Sequence, residues 1–360
     1  MRGILTLGVV LHDWLKEKSF RATFNDLIKN SMIREISIFR DRYKTAINLN
    51  EVKQFSDEMH SVRPDIVLAV DHEGGCVQRL RGNGFTALPQ PDELRQRYEQ
   101  GDEEASRNRA YACGLITAYE LRKAGITVLY GPVMDTYHAA SIVIGKKGRS
   151  YGNPPQSTDL LNHYLKGING CLYIIAKHFP DHGQVIQDTH VESAIDTRPL
   201  DTICKQSLPP YRDLSYDGLM IPHVIYSAVD RLPATLSKKT IQFFTAQLAK
   251  DSLPLFSDAL EMDALKRVAP TINERVSRCL ESGCDAILYC GGGGQRELDY
   301  FDKLEHLLTF LTEKKHTEPE FFRRYQEAEH KIKRLSNRRL NQPPLVEDYR
   351  QAQRVMIEKI

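Results

Sequence analysis

Eight short apolar runs, spaced along the chain and separated by amphipathic stretches, leave few folds open to it. The runs cover residues 4–11, 35–40, 65–71, 126–135, 172–179, 217–224, 254–260 and 286–290, and β-branched residues are common in them. Their hydrophobicity is nearly continuous rather than alternating, which marks parallel strands buried on both faces. Between them lie helix-like segments such as 103–123, 159–168, 239–250 and 273–282. Eight β/α units in alternation predict an α/β chain closed into a (β/α)8 TIM-type barrel. A doubly wound open sheet is the rival, but no G-x-G-x-x-G follows the first run, which weakens a dinucleotide-binding version. The strand rhythm stops near residue 313. The expected organisation is a catalytic barrel over 1–312 and a helical extension over 313–360. In that extension 320–339 reads as one basic helix packing Phe321, Tyr325 and Leu335 on the barrel. Pro343-Pro344 then breaks it before a short helical tail.

A barrel of this size needs a large core, and 41% hydrophobic residues supply one while 27% charged residues cover its surface. The 49 basic and 47 acidic residues nearly cancel, which argues against a general nucleic-acid binder. The apolar run at 4–11 is too short to span a bilayer and is followed by no small-x-small cleavage site, so it reads as a buried first strand. Seven scattered cysteines are an odd number without CxxC spacing, which fits a reducing cytoplasm better than a disulfide framework or a zinc site.

Working residues in such barrels sit where strands end. Reading those ends gives Asp71, Asp135, Lys177 with His178, His223 and Asp258, so ionisable groups converge on one mouth. Around Asp71 the chain runs Asp71-His-Glu-Gly-Gly-Cys-Val-Gln-Arg79. Its glycines permit a tight turn, Asp71 can accept from sugar hydroxyls and Arg79 can donate to an acetamido or hydroxyl oxygen. A capped turn with a surface ion pair is the plainer reading of the same residues. Lys177-His-Phe-Pro-Asp-His-Gly183 leads to Asp188-Thr-His190, with three histidines inside thirteen positions of one long loop. An aspartate two residues before a histidine can fix its tautomer and raise its pKa, which suits proton shuttling near neutrality. Local Asp–His pairing in a polar loop would look alike. Asp258, in Leu255-Phe-Ser-Asp258-Ala-Leu-Glu-Met262, suits a carboxylate nucleophile or an N-cap to the next helix equally well.

Together these segments resemble the family 3 glycoside hydrolases, in particular the single-domain bacterial β-N-acetylglucosaminidases of peptidoglycan recycling. Asp71–Arg79 with Gly84-Phe-Thr-Ala-Leu-Pro89 is similar to that family's D-Q-E-G-G-x-V-Q-R…G-F-T-x-L-P. The loop from Lys177 to His190 is similar to K-H-F-P-G-H-G followed by D-S-H, Met220–Asp230 to M-x-x-H-V-x-Y-x-x-x-D, and Phe256–Met262 to F-S-D-D-L-x-M. The resemblance implies a retaining hydrolase that removes β-1,4-linked N-acetylglucosamine from muropeptides, with links to cell-wall biogenesis, cell shape and division. Asp258 would be the nucleophile, and His190 the acid/base with Asp188 as its partner. Asp71, Arg79, Arg149, Lys177 and His178 would hold the sugar ring, Arg149 through a looser match of residues 143–150 to I-G-x-R-S-F. The resemblance further implies no metal or organic cofactor, a small-molecule sugar partner, no nucleic acid or membrane, and a monomer in the cytoplasm.

The chain departs from that pattern at four places: His72 for Gln, Cys76 for Arg, Asp181 for Gly, and Ala259 for a second Asp. These bear on substrate preference and rate rather than on reaction class. A histidine acid/base would also tolerate an anionic acceptor, so phosphorolysis is a variant of the same reading. Three other readings compete. A metal-dependent barrel hydrolase would use His178, His182, His190 and His223. A non-catalytic sugar-binding barrel would retain the pocket without turnover. A phosphate-binding barrel would use Cys290-Gly-Gly-Gly-Gly-Gln295, which lacks a P-loop ending and reads better as a flexible loop beside the sugar site.

Overall fold

The computed structural model describes residues 3–43, 45–186, 194–250, 253–291, 299–336 and 338–357. Each of the eight apolar runs coincides with one strand. They are β1 (Leu5–Val10), β2 (Ile33–Phe39), β3 (Val67–Gly74), β4 (Val128–Val133), β5 (Tyr173–Lys177), β6 (Gly218–Ile221), β7 (Leu255–Ser257) and β8 (Ile287–Tyr289), with β2 starting two residues before its run and β3 ending three residues after it. Apart from two half-buried positions in β3, every residue in them is buried, as both-face coverage requires. All neighbours pair in parallel in the order β7-β6-β5-β4-β3-β2-β1-β8. The ring then meets itself through one bridge, Phe256 to Ala286, with Ser257 N–H donating to Ala286 O at 2.9 Å. The expected barrel is therefore present, and the open doubly wound sheet is excluded by this closure.

The barrel interior carries a polar ladder low on its axis. Glu35 on β2 accepts from Thr6 Oγ1 on β1 at 3.1 Å and from the Tyr130 hydroxyl on β4, while Arg34 Nη1 reaches it at 2.7 Å. All of these groups are buried, so the carboxylate has its charge paired and its oxygens hydrogen-bonded.

Helices cover the outside. Helix Glu103–Lys123 matches the expected span residue for residue. Helix Ile272–Ser282 starts at a capping box in which Thr271 accepts from Glu274 N–H and the Glu274 carboxylate accepts from Thr271 N–H. Beyond the last strand come helices Tyr300–Thr317, Pro319–Ser336 and Val346–Ile357. Phe321, Tyr325 and Leu335 are buried, and Arg324 donates to Leu280 O, Cys284 O and Asp285 Oδ1 at 2.7–2.9 Å. The last helix lies on Glu103–Lys123, with Tyr119 and Tyr349 stacked 4.1 Å apart and Tyr349 donating to the buried Glu120. Among the described residues no helix is long and apolar enough to cross a membrane.

Candidate active site

The carboxyl ends of the strands surround a cavity of about 580 Å³, within the usual range for small-molecule sites. Asp71, Arg79, Arg149, Lys177, His178 and Asp258 all line it. Asp188 and His190 lie outside the described residues, as do the glycines after Gly291.

The first wall is β3 and its hairpin. Successive side chains on a strand alternate, so Asp71 and Glu73 share the inner face while His72 points the other way. After Glu73 the chain turns back at Gly74 and Gly75, both at positive φ. A Cβ on Gly74 would lie 2.3 Å from Pro89 O, so only glycine fits there. The return strand Val77–Gln78 brings Arg79 beside Asp71, with Nη2 to Oδ2 3.5 Å. Gln78 holds the following segment in place. It donates to Leu80 O at 3.1 Å and Thr86 O at 2.7 Å, and accepts from Leu88 N–H at 3.0 Å. That is why Gly84-Phe-Thr-Ala-Leu-Pro89 belongs to the same sequence block as Asp71.

Across the mouth, Lys177 closes β5 and reaches both inner carboxylates, Asp71 Oδ1 and Glu73 Oε1, each at 2.6 Å. Arg149 grips Glu73 with two parallel bonds of 2.8 Å, from Nε and Nη2. Burial opposes every charge in this cluster, yet the opposite charges win. Lys177 and Arg149 hold the Glu73 carboxyl well below the usual range, and Lys177 with Arg79 do the same to Asp71. Burial likewise works against Lys177, but Asp71 and Glu73 raise it above its ordinary value. The cluster is thus fully ionised at neutral pH. Among the described residues two of the three Lys177 N–H bonds are used, which leaves one for a ligand oxygen.

His178 is oriented by Asp135, which follows β4. The Asp135 carboxylate accepts from His178 Nδ1 at 2.6 Å and from the backbone N–H of His182 at 2.6 Å. Burial would raise this carboxyl, but His178 and His182 bring it below the usual range. With Nδ1 committed to a carboxylate, Nε2 is the ring atom left for the cavity. His182 itself is lowered to about 4 by burial and by His178, so it is neutral at pH 7.

Asp258 stands directly after β7. Its N–H donates to Ile221 O at 3.0 Å, and its Oδ1 accepts from Ala259 N–H at 2.7 Å. The cap of the next helix is Thr271, thirteen residues on, so Asp258 is not a helix cap and its carboxylate borders the cavity. His223 plays a supporting part. It bonds Thr235 Oγ1 at 2.7 Å and Ala259 O at 2.8 Å, which fixes the peptide beside Asp258 and leaves neither ring nitrogen for a metal. Among the described residues no three His, Cys, Asp or Glu side chains group as metal ligands.

The four departures take distinct places. His72 is buried away from the cavity, neither ring nitrogen bonded among the described residues, and burial together with Arg81 lowers it to about 3. Cys76 sits at the rim, donating to Lys147 O at 3.2 Å. Ala259 contributes its backbone, accepting from His223. Asp181 is fully buried in a hydrogen-bond network.

Sequence reasoning assigned no role to Glu73 or Glu261, gave Asp135 only as a strand end and His182 only as a ligand in the metal-dependent reading; all four also shape the site. Glu73 carried a readable signal, since a residue two positions from Asp71 on a strand must share its face. Asp135 was visible as a strand end, but its partner could only be found in three dimensions. Glu261, three residues after Asp258, lines the cavity and accepts from Gly291 N–H.

Comparison with known proteins agrees with this geometry. Residues 6–323 match the profile described as "Glycosyl hydrolase family 3 N terminal domain". A protein named beta-hexosaminidase from Methylobacillus flagellatus is 33% identical over 293 residues, covering 79% of this chain and 81% of that one. The crystal structure of NagZ from Neisseria gonorrhoeae in complex with N-trifluoroacetyl-D-glucosamine superposes with a TM-score of 0.69 at 26% identity, covering 93% and 98% of the two chains. A family 3 β-N-acetylglucosaminidase from Paenibacillus shares the fold at 22% identity and a TM-score of 0.75. There this chain, 98% covered, spans 66% of its longer counterpart.

Proposed function

Because this chain belongs to glycosyl hydrolase family 3, we propose that it is a retaining exo-β-N-acetylglucosaminidase acting on β-1,4-linked N-acetylglucosamine of muropeptides. The observation that carries the reading is the company Asp258 keeps. Its half-buried carboxylate borders the same cavity as Asp71, Lys177, Arg149 and His178. A glycosidase nucleophile needs an ionised carboxylate beside groups that fix the sugar hydroxyls.

In this reading Asp71, Arg79, Arg149, Lys177 and His178 hold the N-acetylglucosamine ring, Lys177 by its remaining N–H and His178 by Nε2. Asp258 attacks the anomeric carbon to form a glycosyl-enzyme. His190, supported by Asp188, protonates the departing oxygen and then activates water for the second displacement. One imidazole with a pKa near neutrality serves both steps. Residues 1–312 form the catalytic unit and 313–360 its packed extension. The enzyme works as a cytoplasmic monomer without a metal, in peptidoglycan recycling.

The test combines turnover and labelling. The wild type releases p-nitrophenol from the β-N-acetylglucosaminide far faster than from the β-glucoside, and added phosphate leaves the rate unchanged. A mechanism-based fluorosugar is recovered on Asp258, and Asp258→Asn binds the sugar without turnover. Label on another side chain removes the mechanism. A wild type that binds but never turns over would leave a sugar-binding barrel, and a phosphate-accelerated rate would make the enzyme a phosphorylase.

A further inference from the structure

Asp181 stands where the resembling family carries glycine, and its carboxylate gathers five donors. Thr136 supplies its N–H at 3.0 Å and its hydroxyl at 2.6 Å, and Gly183 N–H donates at 2.9 Å. Ser207 Oγ donates at 2.7 Å and Arg198 Nη2 at 2.8 Å. The side chain is completely buried. A glycine can make none of these bonds.

The partners come from separated parts of the chain. Thr136 directly follows Asp135, the residue that orients His178, and its hydroxyl also accepts from Gln184 Nε2 at 2.8 Å. Arg198 lies beyond the short strand Ala194–Asp196, which pairs with Val224–Tyr226. The same guanidinium bonds Asp196 at 2.6 Å, so it is clamped between two carboxylates. Ser207 ends helix Leu200–Gln206. One buried carboxylate therefore ties the chain entering at Asp181 to the chain returning at Arg198, and both to the end of β4. Between those two anchors the sequence carries Asp188 and His190.

We propose that the Asp181–Arg198 pair is a positioning device for the acid/base arm of this enzyme, holding the two feet of the segment that carries Asp188 and His190. The proposal rests on the function proposed above. Fixing both ends of a short segment narrows the conformations open to it, and a misplacement of about 1 Å in a reacting group can lower a rate by about a hundredfold. Neither residue touches the cavity, so the effect falls on proton delivery rather than on sugar binding.

Leaving groups separate this from a merely structural role. A 2,4-dinitrophenyl β-N-acetylglucosaminide expels its phenolate without a proton, whereas a β-linked disaccharide needs one. Asp181→Gly should lower kcat/KM for the disaccharide by about tenfold or more, while kcat/KM for the dinitrophenyl glycoside stays within about twofold of wild type. Arg198→Gln should do the same, and the double variant should be no worse than the poorer single one, because both remove one device. Arg198→Lys, which keeps the cation, should restore part of the loss and serves if the glycine variant is poorly folded. Equal losses on both substrates, or none on either, would overturn the proposal. A wild type inactive on both substrates would overturn the parent function along with it, and so tells the two failures apart.

Discussion

Replacing Glu73 with glutamine removes one negative charge from the most tightly paired cluster in the molecule while leaving its shape almost intact. Glu73 Oε1 receives Lys177 and Arg149 Nη2, and Oε2 receives Arg149 Nε. The glutamine oxygen can take over the first position. Its NH2 group then faces Arg149 Nε across the former 2.8 Å bond, a donor against a donor. The charge count also changes. Lys177, Arg149 and Arg79 against Asp71 and Glu73 sum to +1, and without Glu73 the sum is +2 in a buried place. Breaking one side of a buried pair costs about 3–5 kcal/mol, and the lower end applies because Asp71 still contacts Lys177. Urea unfolding at pH 7 should therefore show Glu73→Gln about 3 kcal/mol less stable than wild type.

The pH dependence sharpens this. The Glu73 carboxyl is depressed in the folded chain, so its stabilisation is fully present above the unfolded value, about 4.3, and fades as pH falls towards the lower folded value. Glutamine has no such dependence. The stability gap should be constant from pH 8 to about 5.5 and narrow steadily below about 4. A gap under about 1 kcal/mol at pH 7, or one of unchanged size at pH 3.5, would refute the account of Glu73 as the ionised centre of this cluster.

Three further outcomes follow from the same geometry. Asp135→Asn puts an amide where His178 Nδ1 donates and should lower kcat/KM by about 10–100-fold, and a change below about threefold in steady-state kinetics would remove the orienting role. Gly74→Ala introduces a Cβ 2.3 Å from Pro89 O at positive φ, so its folded yield and unfolding free energy should fall, the latter by about 2 kcal/mol or more in a denaturant titration. Arg149→Lys keeps the charge but cannot make both bonds to Glu73, and should raise KM with a smaller effect on kcat. The reverse pattern would place Arg149 in the chemical step.

The barrel was legible because burial on both faces leaves an unbroken apolar run, and all eight runs became strands, trimmed by one to three residues at every end except the start of β2 and the close of β3. Strand ends revealed Asp71, Lys177, His178 and Asp258 in the same way, since an ionisable residue near the close of such a run is carried to the mouth of the barrel. The choice at Asp258 between nucleophile and cap was not readable. Thr271 taking the cap position excludes the cap reading. Partnerships across long separations were also invisible. Arg149 with Glu73, seventy-six residues apart, and Asp181 with Arg198, seventeen apart, follow no periodicity, because the folded arrangement of the loops at the barrel mouth, and not local pattern, brings them together. His223 shows the opposite error. As a strand-end histidine it resembled a site group, but its two bonds make it a brace for residue 259.

The way the ring closes has a mechanical consequence. Strands β6 and β7 share three ladder positions, as do β8 and β1, but β7 meets β8 at a single bridge. The side of the pocket built on β3 and β5 is fastened by the ion pairs of Lys177 and Arg149, whereas the side bearing Asp258 adjoins a joint of irregular register, held by Ser257 N–H to Ala286 O, Ala286 N–H to Leu255 O and Leu260 N–H to Leu288 O. One wall of the pocket is thus fixed by buried charge, and the wall carrying Asp258 by hydrogen bonds to neighbouring backbone.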